Sequence, residues 1–241
     1  VVPRLFLLPL LGLSLLALAP ASTPLHLVWA ERLLADLQPA DNRYAGPPPR
    51  LTWRGVDGAV LSSNSSDCSG FVTALLRRAY GLGPGDLRRW LGSASPTAAR
   101  YHEAISRADG FQPVARADAI EPGDLLAIRY TRPPLENERL EGDSGRMATG
   151  HLMLAAERPR SLGAGRLALV VIDSSRTGHG PEDRRGSQGG AGRGTIALAV
   201  DGAGRPIAYA WSLRSASPRL GPPRQELRIG RLLTPAGSPG R

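Results

Sequence analysis

The chain contains no lysine, so arginine supplies every positive side chain apart from histidine. Its 30 arginines against 21 acidic residues give a formal net charge of +9, which favours association with anionic polymers. The arginines are spread along the chain rather than gathered in one block, and this spacing reads as solvated surface. Aromatic residues are few, 5% of the chain, and dispersed. They leave no platform for base stacking, which excludes nucleic acid as an expected partner. A single cysteine, Cys68, excludes an internal disulfide and a paired-cysteine zinc site. The four histidines, His26, His102, His151 and His179, are widely separated and no His-Glu-x-x-His run is present, so neither a metal nor another cofactor is expected. The glycine run Gly189-Gly190-Ala191-Gly192-Arg193-Gly194 precedes a strand pattern rather than a helix, which excludes a phosphate loop. No internal repeat is found.

Long apolar runs are also scarce. Leu5 to Leu18 follows Arg4 and leads into Ala19-Pro20-Ala21-Ser22, a basic, apolar and small-residue succession that reads as an export signal cut after Ala21. Pro9 and Gly12 interrupt the run, and it is shorter than the ~20 residues a bilayer span needs. A retained anchor is the alternative, and an uncleaved segment is the sole membrane association expected. The implied location is periplasmic or extracellular. The organisation read from the chain is a signal over 1–21, an N-terminal helix and Pro-rich connection over 22–50, a catalytic domain with a C-terminal strand extension over 51–235, and a disordered tail over 236–241.

In what remains, Thr23-Pro24 opens a helix running to about Leu37, with Trp29, Leu33, Leu34 and Leu37 facing the core. A further helix is expected from Thr97 to Ala108. Short alternating or β-branched runs then predict strands over Asp124–Tyr130, His151–Ala156, Leu167–Asp173, Thr195–Val200, Ile207–Leu213 and Glu226–Leu233. Asp201-Gly202-Ala203-Gly204 predicts a hairpin between the fourth and fifth. Helices first and strands afterwards point to an α+β domain with an antiparallel sheet. Two long loops, Thr131–Thr149 and Arg176–Gly194, read as lids or disordered segments.

Cys68 sits in Ser66-Asp67-Cys68-Ser69-Gly70-Phe71. Val72, Leu75, Leu76 and Ala79 recur behind it at helical spacing, with Ser66 or Asp67 able to cap the helix and Gly81 able to end it. A thiol in the first turn of a helix meets unpaired backbone N–H groups and the positive end of the dipole, which favour the thiolate nucleophile. The competing reading is a small buried apolar residue.

Three motifs in order resemble the NlpC/P60 cysteine peptidases: Asp67-Cys68-Ser69-Gly70-Phe71-Val72 at a helix start, Ile120-Glu121-Pro122-Gly123-Asp124-Leu125 entering a strand, and Gly150-His151-Leu152-Met153-Leu154 on the next strand. The resemblance covers about Leu51 to Ser175. It implies a papain-like α+β fold with the nucleophile-bearing helix packed on an antiparallel sheet, Cys68 as nucleophile and His151 as base. Backbone N–H groups at the helix start would hold the oxyanion, with Ser69 supporting the site. In the family a polar residue on the strand after the base orients the imidazole. Asp173 occupies that position, and His179, in Gly178-His179-Gly180, is the competitor.

This chain departs from the family in having Leu51-Thr52-Trp53-Arg54-Gly55 where a tyrosine is usual, and Tyr44 is the candidate substitute. The 131–149 loop, with Glu136, Glu138, Glu141 and Asp143, is expected to rim the cleft. The implied activity is hydrolysis of amide bonds in peptidoglycan stem peptides. Alternatives are a thiol amidase or acyltransferase on another acyl or amide substrate, and a non-catalytic module that binds cell wall or a partner.

Overall fold

The computed structural model describes residues 22–131, 148–214 and 217–233. The stretch 1–21 read as an export signal, the acidic part of the 131–149 loop and the 236–241 tail lie outside these residues. The chain opens with α1 (Leu25–Asp36), followed by three short strands, β1 (Asn42–Tyr44), β2 (Arg50–Thr52) and β3 (Ser63–Ser66). Three helices come next, α2 (Cys68–Tyr80), α3 (Pro84–Leu91) and α4 (Ala98–Ser106), then β4 (Phe111–Pro113), β5 (Leu125–Tyr130), β6 (Gly150–Ala155), β7 (Arg160–Gly163) and β8 (Arg166–Ser175). The last strands are β9 (Gly190–Val200), β10 (Pro206–Ala210), β11 (Arg219–Leu220) and β12 (Gln225–Leu232).

Nine of the strands form one sheet in the order β11-β10-β9-β8-β6-β5-β12-β4, with β7 paired to β8 off this path. All its pairings are antiparallel. Strand alternation gives each central strand two apolar faces. Leu125, Ala127, Leu152, Leu154 and Ile172 face the helices, which contribute Leu27, Leu33, Phe71, Leu75 and Tyr101 to that core. Leu126, Ile128, Met153, Ala155 and Val171 face the other way and meet Ile196, Leu198, Tyr209 and Ile229 in a second core. The sheet curls around the second core, so that Tyr209 on β10 donates its hydroxyl to Gln225 Oε1 on β12 at 2.7 Å.

The expected papain-like α+β class is corrected by this arrangement. Among the described residues the protein is mostly β, with a nine-stranded antiparallel sheet, a three-stranded one, and four short helices. The additional strands carry no apolar alternation. Ser63-Asn64-Ser65-Ser66 is wholly polar, yet β3 runs between β1 and β2, parallel to the first and antiparallel to the second. Side-chain hydrogen bonds replace apolar packing in this small sheet: Asn64 Nδ2 donates to Asn42 Oδ1 at 3.0 Å, and Ser66 Oγ donates to Asn64 Oδ1 at 2.6 Å. Asn42 in turn joins the small sheet to the large one, donating to the Ala191 carbonyl at 2.7 Å and accepting from the Ala191 N–H at 2.8 Å.

β9 is the other departure. It begins at Gly190 rather than Thr195, so the glycine run is a strand. The hairpin at Asp201–Gly204 joins β9 to β10, with Asp201 Oδ1 accepting from the Ala203 and Arg205 N–H groups.

Candidate functional site

Each residue of the run around Cys68 has a local task. Asp67 is the N-cap of α2, its Oδ1 accepting the Gly70 N–H at 2.6 Å and the Ser69 hydroxyl at 3.1 Å. The Ser69 side chain is therefore committed to the cap. Gly70 leaves little space for a side chain, because a Cβ there would lie 3.0 Å from Asp67 Oδ1 and 3.1 Å from Pro49 Cβ. Gly81, with φ 69°, ends the helix in the left-handed region. Cys68 is thereby fixed as the first residue of α2, and it is buried.

The Gly-Asp-Leu motif is an anchor. Asp124 Oδ2 accepts the Glu121 N–H at 2.8 Å, and Arg231 grips both carboxylate oxygens at 2.9 and 3.0 Å. His26 Nε2 donates to the Gly123 carbonyl at 2.8 Å, which ties α1 to the entrance of β5. With that nitrogen a donor, Nδ1 is the acceptor for the Tyr80 hydroxyl at 2.7 Å.

His151 follows a glycine that no other residue can replace. Gly150 has φ 153°, and a Cβ on it would sit 1.8 Å from the Ile128 carbonyl oxygen. Across β5, His151 is paired with Ile128, so its ring points to the second-core face. There His151 Nε2 meets Asp173 Oδ2 at 2.6 Å. Nδ1 is then the ring nitrogen that Asp173 does not engage.

Asp173 is fully buried. Its other oxygen, Oδ1, accepts from Arg185 Nη2 at 2.7 Å, and His179 Nε2 lies 3.1 Å from Oδ2. Burial pushes the carboxyl up, but the Arg185 guanidinium, the His179 ring and the hydrogen bond from His151 outweigh it and hold the group well below the usual carboxylate range. His179 Nδ1 faces the Trp211 carbonyl at 2.9 Å, and only a protonated nitrogen can bond there. Its Nε2 faces a carboxylate oxygen. Burial lowers the proton affinity of this ring, yet Asp173 reverses the balance and raises it.

The structure thus sets both imidazoles beside one Asp173 oxygen, with His151 Nε2 hydrogen-bonded to it at 2.6 Å and His179 Nε2 3.1 Å away without hydrogen-bond alignment. Trp211 packs over both rings, 5.0 Å from His151 edge-on and 4.2 Å from His179. Behind them Arg185 also bonds Asp183 Oδ1, the Gly190 carbonyl and the Ser175 hydroxyl. Asp183 Oδ2 accepts the His179 backbone N–H at 3.0 Å.

One side-chain hydrogen bond connects this group to the start of the Cys68 helix. Ser174, beside Asp173 but pointing to the opposite face, donates its hydroxyl to the Ser66 carbonyl at 2.7 Å. Ser66 is two residues ahead of Cys68, so the start of α2 is pinned to the end of β8 where Asp173 lies. Tyr44 ends β1 in register with Ser66, with the Arg176 guanidinium 5.3 Å over its ring.

Arg185, Asp183, Trp211 and Ser174 carry much of this geometry and were not singled out from the sequence. A signal for two of them exists. Glycine at 190, 192 and 194 alternates along β9, and alternate glycines in a strand mark close approach by another segment. A Cβ on Gly192 would lie 2.5 Å from both Arg185 Nε and Asp183 Oδ1, and one on Gly194 would lie 2.8 Å from His179 Cβ. The 176–189 segment is folded onto this groove.

No protein-family model matches the chain, and no solved structure matches it. The chain is 30% identical over 228 residues to uncharacterized protein R653 of Acanthamoeba polyphaga mimivirus, an alignment that takes in 87% of this chain and 96% of that protein. The chain belongs to one family with the mimivirus protein R653.

Proposed function

We propose that this protein is an exported cysteine hydrolase that cleaves amide bonds, with peptidoglycan stem peptides as its substrate class. The observation that carries the reading is the buried His151–Asp173 hydrogen bond of 2.6 Å, its carboxylate kept ionised by Arg185, at the end of the sheet tied to the start of the Cys68 helix. The NlpC/P60-like motifs and the 1–21 segment support the substrate class. In this mechanism His151 Nδ1 takes the Cys68 proton and the thiolate attacks the carbonyl carbon. Backbone N–H groups of the first turn of α2 receive the developing oxyanion. His151 returns the proton to the leaving amine as the C–N bond breaks, leaving a thioester. Water, deprotonated by the same imidazole, then releases the acid and restores the thiol.

Digestion of purified peptidoglycan, with mass spectrometry of the released fragments, tests the proposal. New amine and carboxyl ends are expected from the wild type and none from Cys68→Ala. Asp173→Ala should lower kcat at least about tenfold, within the ~10²–10⁴ range of general-base contributions. Absence of fragments from a folded wild-type protein, or full activity in Cys68→Ala, overturns the reading. N-terminal sequencing of the secreted protein tests export, with Ser22 expected as the first residue.

A further inference from the structure

A cavity of about 490 Å³ lies between the C-terminal half of α1, β8, β9 and the 182–185 segment. Its size is that of small-molecule sites, which run to about 300–1,000 Å³. Leu34, Leu37 and Val170 give it an apolar strip.

The charges around the cavity fall into two groups. Arg193 is neutralised by Glu31 at 3.0 Å and Glu157 at 2.6 Å, and these three residues build a wall. Arg185 is bound to Asp173 and Asp183. By contrast Arg160, Glu182 and Arg184 are exposed on the cavity and, among the described residues, make no ion pair with each other or with any other group. Two guanidiniums and one carboxylate therefore share a single cavity without collapsing onto one another. Such a site is complementary to a ligand with separated charges: a carboxylate for the arginine forks and an ammonium for Glu182.

The 182–185 segment alternates. Glu182 and Arg184 face out to the cavity, whereas Asp183 and Arg185 point inward and bond the Asp173 group. A ligand held by the outward pair would fasten the strip that carries the inward pair.

We propose that this cavity is a second binding site, distinct from the Cys68 centre, for a short amphoteric peptide segment that carries both a carboxylate and an amine. The ligand class rests on the reading of the protein as a hydrolase of peptide amides; the site itself rests on the cavity and its uncommitted charges. The tripeptide alanyl-glutamyl-lysine is the probe, titrated by NMR or calorimetry into the full chain and into Cys68→Ala, where turnover cannot interfere. Saturable binding with a Kd of about 1 mM or tighter is expected in both. Arg184→Ala and Glu182→Gln should each weaken it about 10- to 100-fold, the scale of a lost charged hydrogen bond. Acetylating the amines or amidating the carboxylates of the probe should weaken it comparably, and amide exchange across 182–185 should slow on binding.

Failure to saturate by about 20 mM overturns the site, on the millimolar scale of weak binding. Binding indifferent to both substitutions places the ligand elsewhere, and binding indifferent to capping overturns the ligand class. None of these readouts requires turnover, so the site stands or falls separately from the peptidoglycan digestion.

Discussion

His102 and His179 are both buried, at 2% and 1% exposure, and their proton affinities move in opposite directions. His102, on α4, has no hydrogen-bond partner on either ring nitrogen among the described residues, and its nearest carboxylate oxygen, Glu226 Oε2, is 3.8 Å away. Burial and the nearby Arg129 and Arg228 push its pKa down to about 4, against a smaller pull from Glu226. His179 is also pushed down by burial, with Arg185 close by as well, but Asp173 sits 3.1 Å from its Nε2 and the balance is upward. Burial does not decide the charge of a histidine; the decisive matter is whether a carboxylate is fixed within reach. The region around His179 is a connected polar group with named partners for both Asp173 oxygens, whereas that around His102 leaves a polar ring uncompensated.

The comparison breaks most severely at Arg185. Replacing it by Met leaves Asp173 and Asp183 buried without their cation, and removing one partner of a buried pair destabilises by about 3–5 kcal/mol. Chemical denaturation should show a loss of that size; a change below about 1 kcal/mol would mean that the carboxylates reach water, at the scale of exposed pairs.

The two histidines can be separated by stability measured against pH. For His102 the folded pKa of about 4 is below the ordinary value 6.5, so the unfolded chain binds the proton first and stability falls as pH drops through that window. At 1.36 kcal/mol per unit the effect reaches up to about 3 kcal/mol. For His179 the folded value is raised, so its contribution is complete below 6.5 and is lost as pH rises through the folded value. His102→Leu should flatten the acid limb relative to wild type and be neutral or stabilising at pH 7, because it removes two unpartnered nitrogens. His179→Gln should flatten the alkaline limb. Parallel curves for His102→Leu and wild type would show that the ring is solvated.

A gentler test is Gly192→Ala. The new methyl group would meet Arg185 Nε and Asp183 Oδ1 at 2.5 Å and displace a guanidinium that has little room to move. Overpacking of this kind costs about 1–3 kcal/mol. Differential denaturation should register it, while Gly202→Ala, which meets nothing within 4 Å, should stay near wild type.

What was legible in the sequence was local. The cap Asp67, the helix behind Cys68 and the hairpin at Asp201–Gly204 follow from short-range rules: a side-chain oxygen reaching the N–H groups of the next turn, apolar residues recurring every three or four positions, and turn residues between alternating strands. His151 and Asp173 could be nominated because their strands were recognisable, and the strands set them on one face. The mostly β architecture was not legible. β3 is polar and β9 starts in glycines, and both are held by partners far away in the chain: Asn42 across to Ala191, Ser174 across to Ser66. The same holds for the groups that complete the candidate site. Arg185 is one of many arginines in the sequence and becomes distinctive through the removal of its surroundings from water. His179 looked like a rival to Asp173 because linear order cannot express that two imidazoles converge on one oxygen. Short-range hydrogen bonding and periodicity act between neighbours and are written in the sequence itself, whereas burial and charge neutralisation depend on which distant segments meet, and only the tertiary structure decides that.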